Sequence, residues 1–64
     1  MRINVNGVPS EVKGTFLSDL LIEQGFPVAV ATAVNEQFVP IAKRDAWRLE
    51  AGDRVEVLAP MQGG

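Results

Sequence analysis

Apolar and polar residues alternate along residues 1–5, and the alternation stops at Asn6-Gly7. Both central positions of a type I′ hairpin turn need positive φ, which Asn and Gly adopt most readily, so this dipeptide predicts a two-residue loop. Such a loop sets Val5 opposite Val8, Ile3 opposite Ser10 and Met1 opposite Val12. Residues of one parity share a face, so Met1, Ile3, Val5, Val8 and Val12 are expected on one side, interrupted only by Ser10. Arg2, Asn4, Glu11 and Lys13 take the other. In this register the missing N–H of Pro9 points away from the first strand, which predicts that the second strand is a sheet edge.

The period then changes. Phe16, Leu17, Leu20 and Leu21 recur at helical spacing, with Ser18, Asp19 and Glu23 on the other side. The pattern predicts a helix over Thr15–Gln24, with Thr15 as N-cap, Gly25 at C′ and Pro27 as a stop. Three turns alone in water are marginal, so the leucine stripe must pack on the hairpin's apolar face. Val28–Val34 reads as a strand, Asn35 and its neighbours as a turn, and Phe38-Val39 as a short return strand closed by Pro40. Asn35-Glu36 lacks the glycine that would fix the register of this second hairpin. Residues 41–51 read as irregular, with a helical turn around Asp45–Arg48 and with Trp47 and Leu49 as anchors to the core. After a turn at Ala51-Gly52-Asp53, Arg54–Ala59 is the last strand: Val55 and Val57 alternate with Arg54 and Glu56. Leu58 breaks that alternation. The order ββαββ plus a final strand predicts an α+β domain, a sheet of four or five strands with one main helix on one face.

Composition narrows what such a domain can do. A chain of 64 residues buries only ~60% of the surface its unfolded form exposes, so it needs a dense core or an external prop. With no Cys and no His, disulfides, zinc fingers, iron–sulfur clusters and thiolate or imidazole catalysis are excluded. What remains is an apolar core: 47% of residues are hydrophobic, too many for a disordered chain. Six Lys and Arg against eight Asp and Glu give a net charge of −2, with no basic stripe for nucleic acid. The one basic pair, Lys43-Arg44, is followed by Asp45 and reads as a solvated loop. No apolar run approaches the ~20 residues of a membrane span, and no signal-peptide core follows Met1-Arg2, so a cytoplasmic protein is expected. Carboxylate pairs among the eight acids all lie beside turns or on polar faces, and Ser10 and Ser18 have no His to activate them.

The terminal Gly63-Gly64 is the one feature that could carry chemistry. From Pro60 onward, five residues could reach ~17 Å when extended, at ~3.3 Å each. Glycines without Cβ pass through narrow channels and accept backbone angles closed to other residues. The α-carboxylate at the end is the one group this protein could deliver into another protein's active site. That suits carboxylate activation, in which ATP adenylates the acid and a nucleophile then displaces AMP. A frayed terminus also ends this way, and it is the ββαββ order directly upstream that favours the chemical reading.

Ile3-Asn4-Val5-Asn6-Gly7, the short helix, Val30–Asn35, Phe38-Val39-Pro40, Gly52–Val57 and Gly63-Gly64 together carry a resemblance. In order, spacing and total length the whole chain resembles the ubiquitin-like β-grasp sulfur carriers, most closely the thiamine-biosynthesis (ThiS-type) family. The resemblance implies a β-grasp domain at residues 1–59 with the last strand central and parallel to the first, and a flexible tail at 60–64. It implies that Gly64 is adenylated by an E1-like adenylyltransferase and becomes a thiocarboxylate, with Gly63 as the flexible neighbour that lets it enter. The thiocarboxylate would hand its sulfur to thiazole synthase. The sulfur donor would be a cysteine desulfurase or a sulfurtransferase. The protein would bind no cofactor itself, ATP being used by the partner, and would be a carrier rather than an enzyme. Two departures stand out: Ile41 follows the Val-Pro pair where many relatives carry a basic residue, and Trp47 lies farther from that pair than the relatives' aromatic.

A carrier also needs a docking surface. Leu58, off-pattern on the last strand, is a candidate with Pro60, Met61 and Gln62, unless residues 41–49 cover it. Two other readings stay open: the small subunit of molybdopterin synthase, whose chains are usually longer, and a β-grasp binding module without covalent chemistry. A chain that starts at a strand and ends at Gly-Gly is expected not to be an excised fragment.

Overall fold

Asn6 and Gly7 both take positive φ, 51° and 84°, and the chain reverses on them as a two-residue loop. In the computed structural model, which describes residues 1–59, strands β1 (Arg2–Val5) and β2 (Val8–Glu11) pair in the register expected. Ile3 faces Ser10, Asn4 faces Pro9 and Val5 faces Val8. The Val12 N–H then donates to the Met1 carbonyl at 2.8 Å. Ile3, Val5 and Val12 are buried, but Val8 is 60% exposed and does not join them. The helix explains this: it has only seven residues and is tied through the Glu23 carboxylate to the N–H groups of Lys13 and Gly14, at the open end of the hairpin. The turn end of β2, the edge strand, is left uncovered, while Val5 opposite it on β1 stays buried.

Helix α1 spans Leu17–Glu23, shorter than Thr15–Gln24, and its N-cap is Phe16 rather than Thr15. Phe16 has no side-chain acceptor. Instead the Asp19 carboxylate reaches back from the third helical position and accepts from the N–H groups of Thr15 and Phe16, at 3.1 and 3.0 Å. At the other end Gly25, φ 77°, stands at C′ as expected. Its N–H donates to the Ile22 carbonyl and that of Phe26 to the Leu21 carbonyl, the two bonds of a Schellman motif. Leu17, Leu20 and Leu21 enter the core.

The second hairpin is shorter than its sequence predicts. Strand β3 is Ala31–Val34, not Val28–Val34, and β4 is Gln37–Val39. The reason is Arg44. Its guanidinium donates to the carbonyls of Val28 and Val30 and to the Thr32 hydroxyl, so those two carbonyls point at a side chain instead of a neighbouring strand. Lys43-Arg44 is therefore not a solvated pair: Arg44 is 5% exposed. It projects from a 3₁₀ helix at Ile41–Ala46, where the sequence predicted a turn only around Asp45–Arg48. The register that the sequence left open is Thr32 to Val39, Ala33 to Phe38 and Val34 to Gln37, with Asn35 and Glu36 forming the loop at φ 50° and 72°.

Strand β5 (Arg54–Leu58) completes the sheet, ordered β2-β1-β5-β3-β4. It lies in the centre, parallel to β1 and antiparallel to β3. Edge strand β2 carries Pro9, as its register requires. Val55 and Val57 point to the core, which Leu49 and the partly buried Phe26 and Trp47 close. This mixed five-stranded sheet gripping one helix is the α+β, β-grasp arrangement.

Candidate functional site

Burial alternates along β5 as its pattern predicts: Val55 and Val57 are buried, while Arg54, Glu56 and Leu58 are exposed. Leu58 is 62% exposed, so residues 41–49 do not cover it. The register says what stands beside it on the outer face. Leu58 lies opposite Ala31 and Glu56 opposite Ala33, while Ala33 also faces Phe38 across β4. Phe38 is 64% exposed and Ile41, just beyond the Val39-Pro40 pair, 55%. With Ala31 and Ala59 these three side chains line one shallow groove of about 560 Å³. Small alanines on β3 leave the two large side chains standing above the sheet, a patch of the kind soluble proteins keep for partners.

This face ends where the described chain ends, at Ala59. Of the residues the sequence singled out, Leu58 is placed in the groove; Pro60, Met61, Gln62, Gly63 and Gly64 lie outside the described residues. Phe38 and Ile41 were missed as members of the site. Their signal was present but unreadable without a register: Phe38 shares parity with Leu58 only if β3 lies between them with Ala33 opposite both Phe38 and Glu56. Ile41, just beyond the Val39-Pro40 pair, adds an exposed aliphatic side chain to the groove.

The backbone around the groove is fixed. Arg44 ties the 3₁₀ helix that carries Ile41 to β3, and Thr32 passes the link on to β4 by donating to the Val39 carbonyl at 2.9 Å. Among the described residues no three carboxylates converge as a metal site, and no helix is long and apolar enough to cross a membrane. The arrangement offers a rigid apolar face beside the end of a central strand.

The ThiS family model matches residues 3–64. A crystal structure of the thiamine biosynthesis protein ThiS from Geobacter metallireducens is 32% identical, with a TM-score of 0.86 over 100% of both chains. A solution structure of a thiamine biosynthesis protein from the same organism is also 32% identical, with a TM-score of 0.77 over 100% of this chain and 88% of that one. Comparison with curated proteins gives no match.

Proposed function

The chain belongs to the ThiS family, and from that membership, which supports a sulfur carrier of thiamine biosynthesis, we propose that its reactive group is the Gly64 carboxylate. The carboxylate oxygen attacks the α-phosphorus of ATP in an adenylating partner, releasing pyrophosphate and leaving an acyl-adenylate. The terminal sulfur of a persulfide on a cysteine desulfurase or sulfurtransferase adds to the acyl carbon and expels AMP, and a thiol then cleaves the resulting acyl disulfide, leaving a thiocarboxylate and a disulfide on the donor side. Thiazole synthase then takes the sulfur. Gly63 admits the end to the partner's channel because it has no Cβ. The groove of Phe38, Ile41 and Leu58 docks the adenylating enzyme, and Pro60, Met61 and Gln62, which follow in the sequence, are proposed as further contacts. The protein supplies a surface and an acyl group, while its partners supply the catalysis.

The observation that carries this reading is the family match running through Gly63-Gly64 to the last residue. Incubation with the adenylating enzyme, ATP and a sulfur donor, followed by intact-mass measurement, tests it. A gain equal to sulfur replacing one oxygen, abolished by deletion of Gly64, is expected. An unchanged mass overturns it.

A further inference from the structure

Asn6 does more than turn a hairpin. Its side-chain Nδ2 donates to the Val57 carbonyl at 3.1 Å, and its Oδ1 accepts from the Val57 N–H at 2.8 Å. Its own backbone N–H donates to the Val55 carbonyl at 2.9 Å. The main-chain pairing of β1 with β5 stops when β1 turns away, and the Asn6 amide takes the next place in the ladder with the donor and acceptor a peptide group would have offered. Val57 is therefore bonded on its β1 side by a side chain, while Leu58 is paired with Ala31 of β3 on the other.

Asn35, in the other two-residue loop, does the corresponding thing at the opposite end of the strand. Its Oδ1 accepts from the Arg54 N–H at 2.9 Å and its Nδ2 donates to the Asp53 carboxylate at 3.0 Å. The two loops thus clamp the two ends of β5. Only the Asn6 clamp lies at the C-terminal end of β5, next to Ala59, where the described residues stop.

We infer that Asn6 is a positioning residue: its amide holds the last turn of the β5 ladder closed and so sets the direction in which the segment after Ala59 leaves the domain. This rests on the proposed role of Gly64. A carboxylate six residues beyond a fixed strand end reaches a partner's nucleotide in a narrower spread of directions than one beyond a frayed end, so the clamp acts on productive delivery and leaves docking alone.

Asn6→Gly is the cleanest variant, because glycine keeps the positive φ and removes the amide. In the ¹⁵N-labelled full chain, amide exchange at Val57 is expected to rise about ten-fold or more, and Leu58 and Ala59 to gain fast motion in relaxation. In ATP–pyrophosphate exchange with the adenylating partner, kcat is expected to fall about ten-fold while KM for the carrier stays within about two-fold. Asn6→Asp keeps the acceptor for the Val57 N–H and loses the donor, and should fall between. Asn35→Gly removes a comparable pair of bonds from the far end of the strand and should leave kcat alone.

An unchanged kcat in Asn6→Gly, an equal fall in Asn35→Gly, or unaltered motion at Leu58 and Ala59 overturns the inference. If wild-type protein gives no exchange with the partner, it is the proposed function that fails. Relaxation and amide exchange of the strand end then decide the role of Asn6 by themselves.

Discussion

Arg44 donates from Nε to the Thr32 hydroxyl at 3.1 Å, a bond that links the 3₁₀ helix to β3. Both residues are buried, and Arg44 faces carbonyls and a hydroxyl as its bonding partners, with no carboxylate among them. Its charge is accommodated by the Val28 and Val30 carbonyls and the Thr32 hydroxyl, and the bonds to Val30 and Thr32 are buried. Replacing Arg44 by Ala orphans them, at about 1–3 kcal/mol for each group stranded. In a domain whose whole stability is about 5 kcal/mol, Arg44→Ala should be largely unfolded, as the loss of the urea transition will show.

The start of the helix rests on Asp19. Its carboxylate satisfies two N–H groups that no side chain at the N-cap can reach, so Asp19→Ala should lower stability by about 1–2 kcal/mol in urea denaturation. The same close approach explains Gly14. A Cβ there would lie 2.2 Å from the Asp19 Cβ, closer than any carbon contact allows. Gly14→Ala must therefore push the helix start outward, and should cost at least as much as losing the carboxylate.

Glu36 sits at φ 72° in the loop between β3 and β4, a conformation unfavourable to a side chain. What it gains is an exposed ion pair with Arg54 at 3.7 Å, a contact of little net value in water. Glu36→Gly should therefore stabilise the protein by about 0.5–1 kcal/mol, read as a rise in melting temperature. A fall would mean that the ion pair outweighs the backbone strain.

Leu58 stands in the open on the outer face, so Leu58→Glu should shift stability by no more than about 0.5 kcal/mol. If the groove docks the adenylating enzyme, the same change places a charge in an apolar contact and should weaken binding ten-fold or more in a titration, by the scale of hot-spot losses. Phe38→Ala should act in the same direction. Unchanged affinity in both variants would remove this face from the docking surface.

Local chemistry alone carried much of this protein. The Asn6-Gly7 turn set the register of the first hairpin, the leucine spacing gave the helix and its sheet-facing side, and the Val55–Val57 alternation gave the last strand. These signals act between near neighbours: φ preferences at a turn, periods of two and 3.6, and a glycine at a helix end. The terminal Gly63-Gly64 lies outside the described residues, and its role belongs to the proposed function. Where the sequence failed, the deciding partner was distant in the chain. Val28–Val30 has strand composition, but Arg44 takes two of its carbonyls, and nothing near residue 30 announces that. Thr15 is the better capping residue by type, yet Asp19 already supplies the acceptor. Phe38, Ile41 and Leu58 become one surface only when β5 slots in beside β3. The sequence by itself determined which segments fold and into which kind of element. Tertiary structure decided which polar groups found partners and which apolar residues were left outside, because both depend on contacts between residues that only folding brings together.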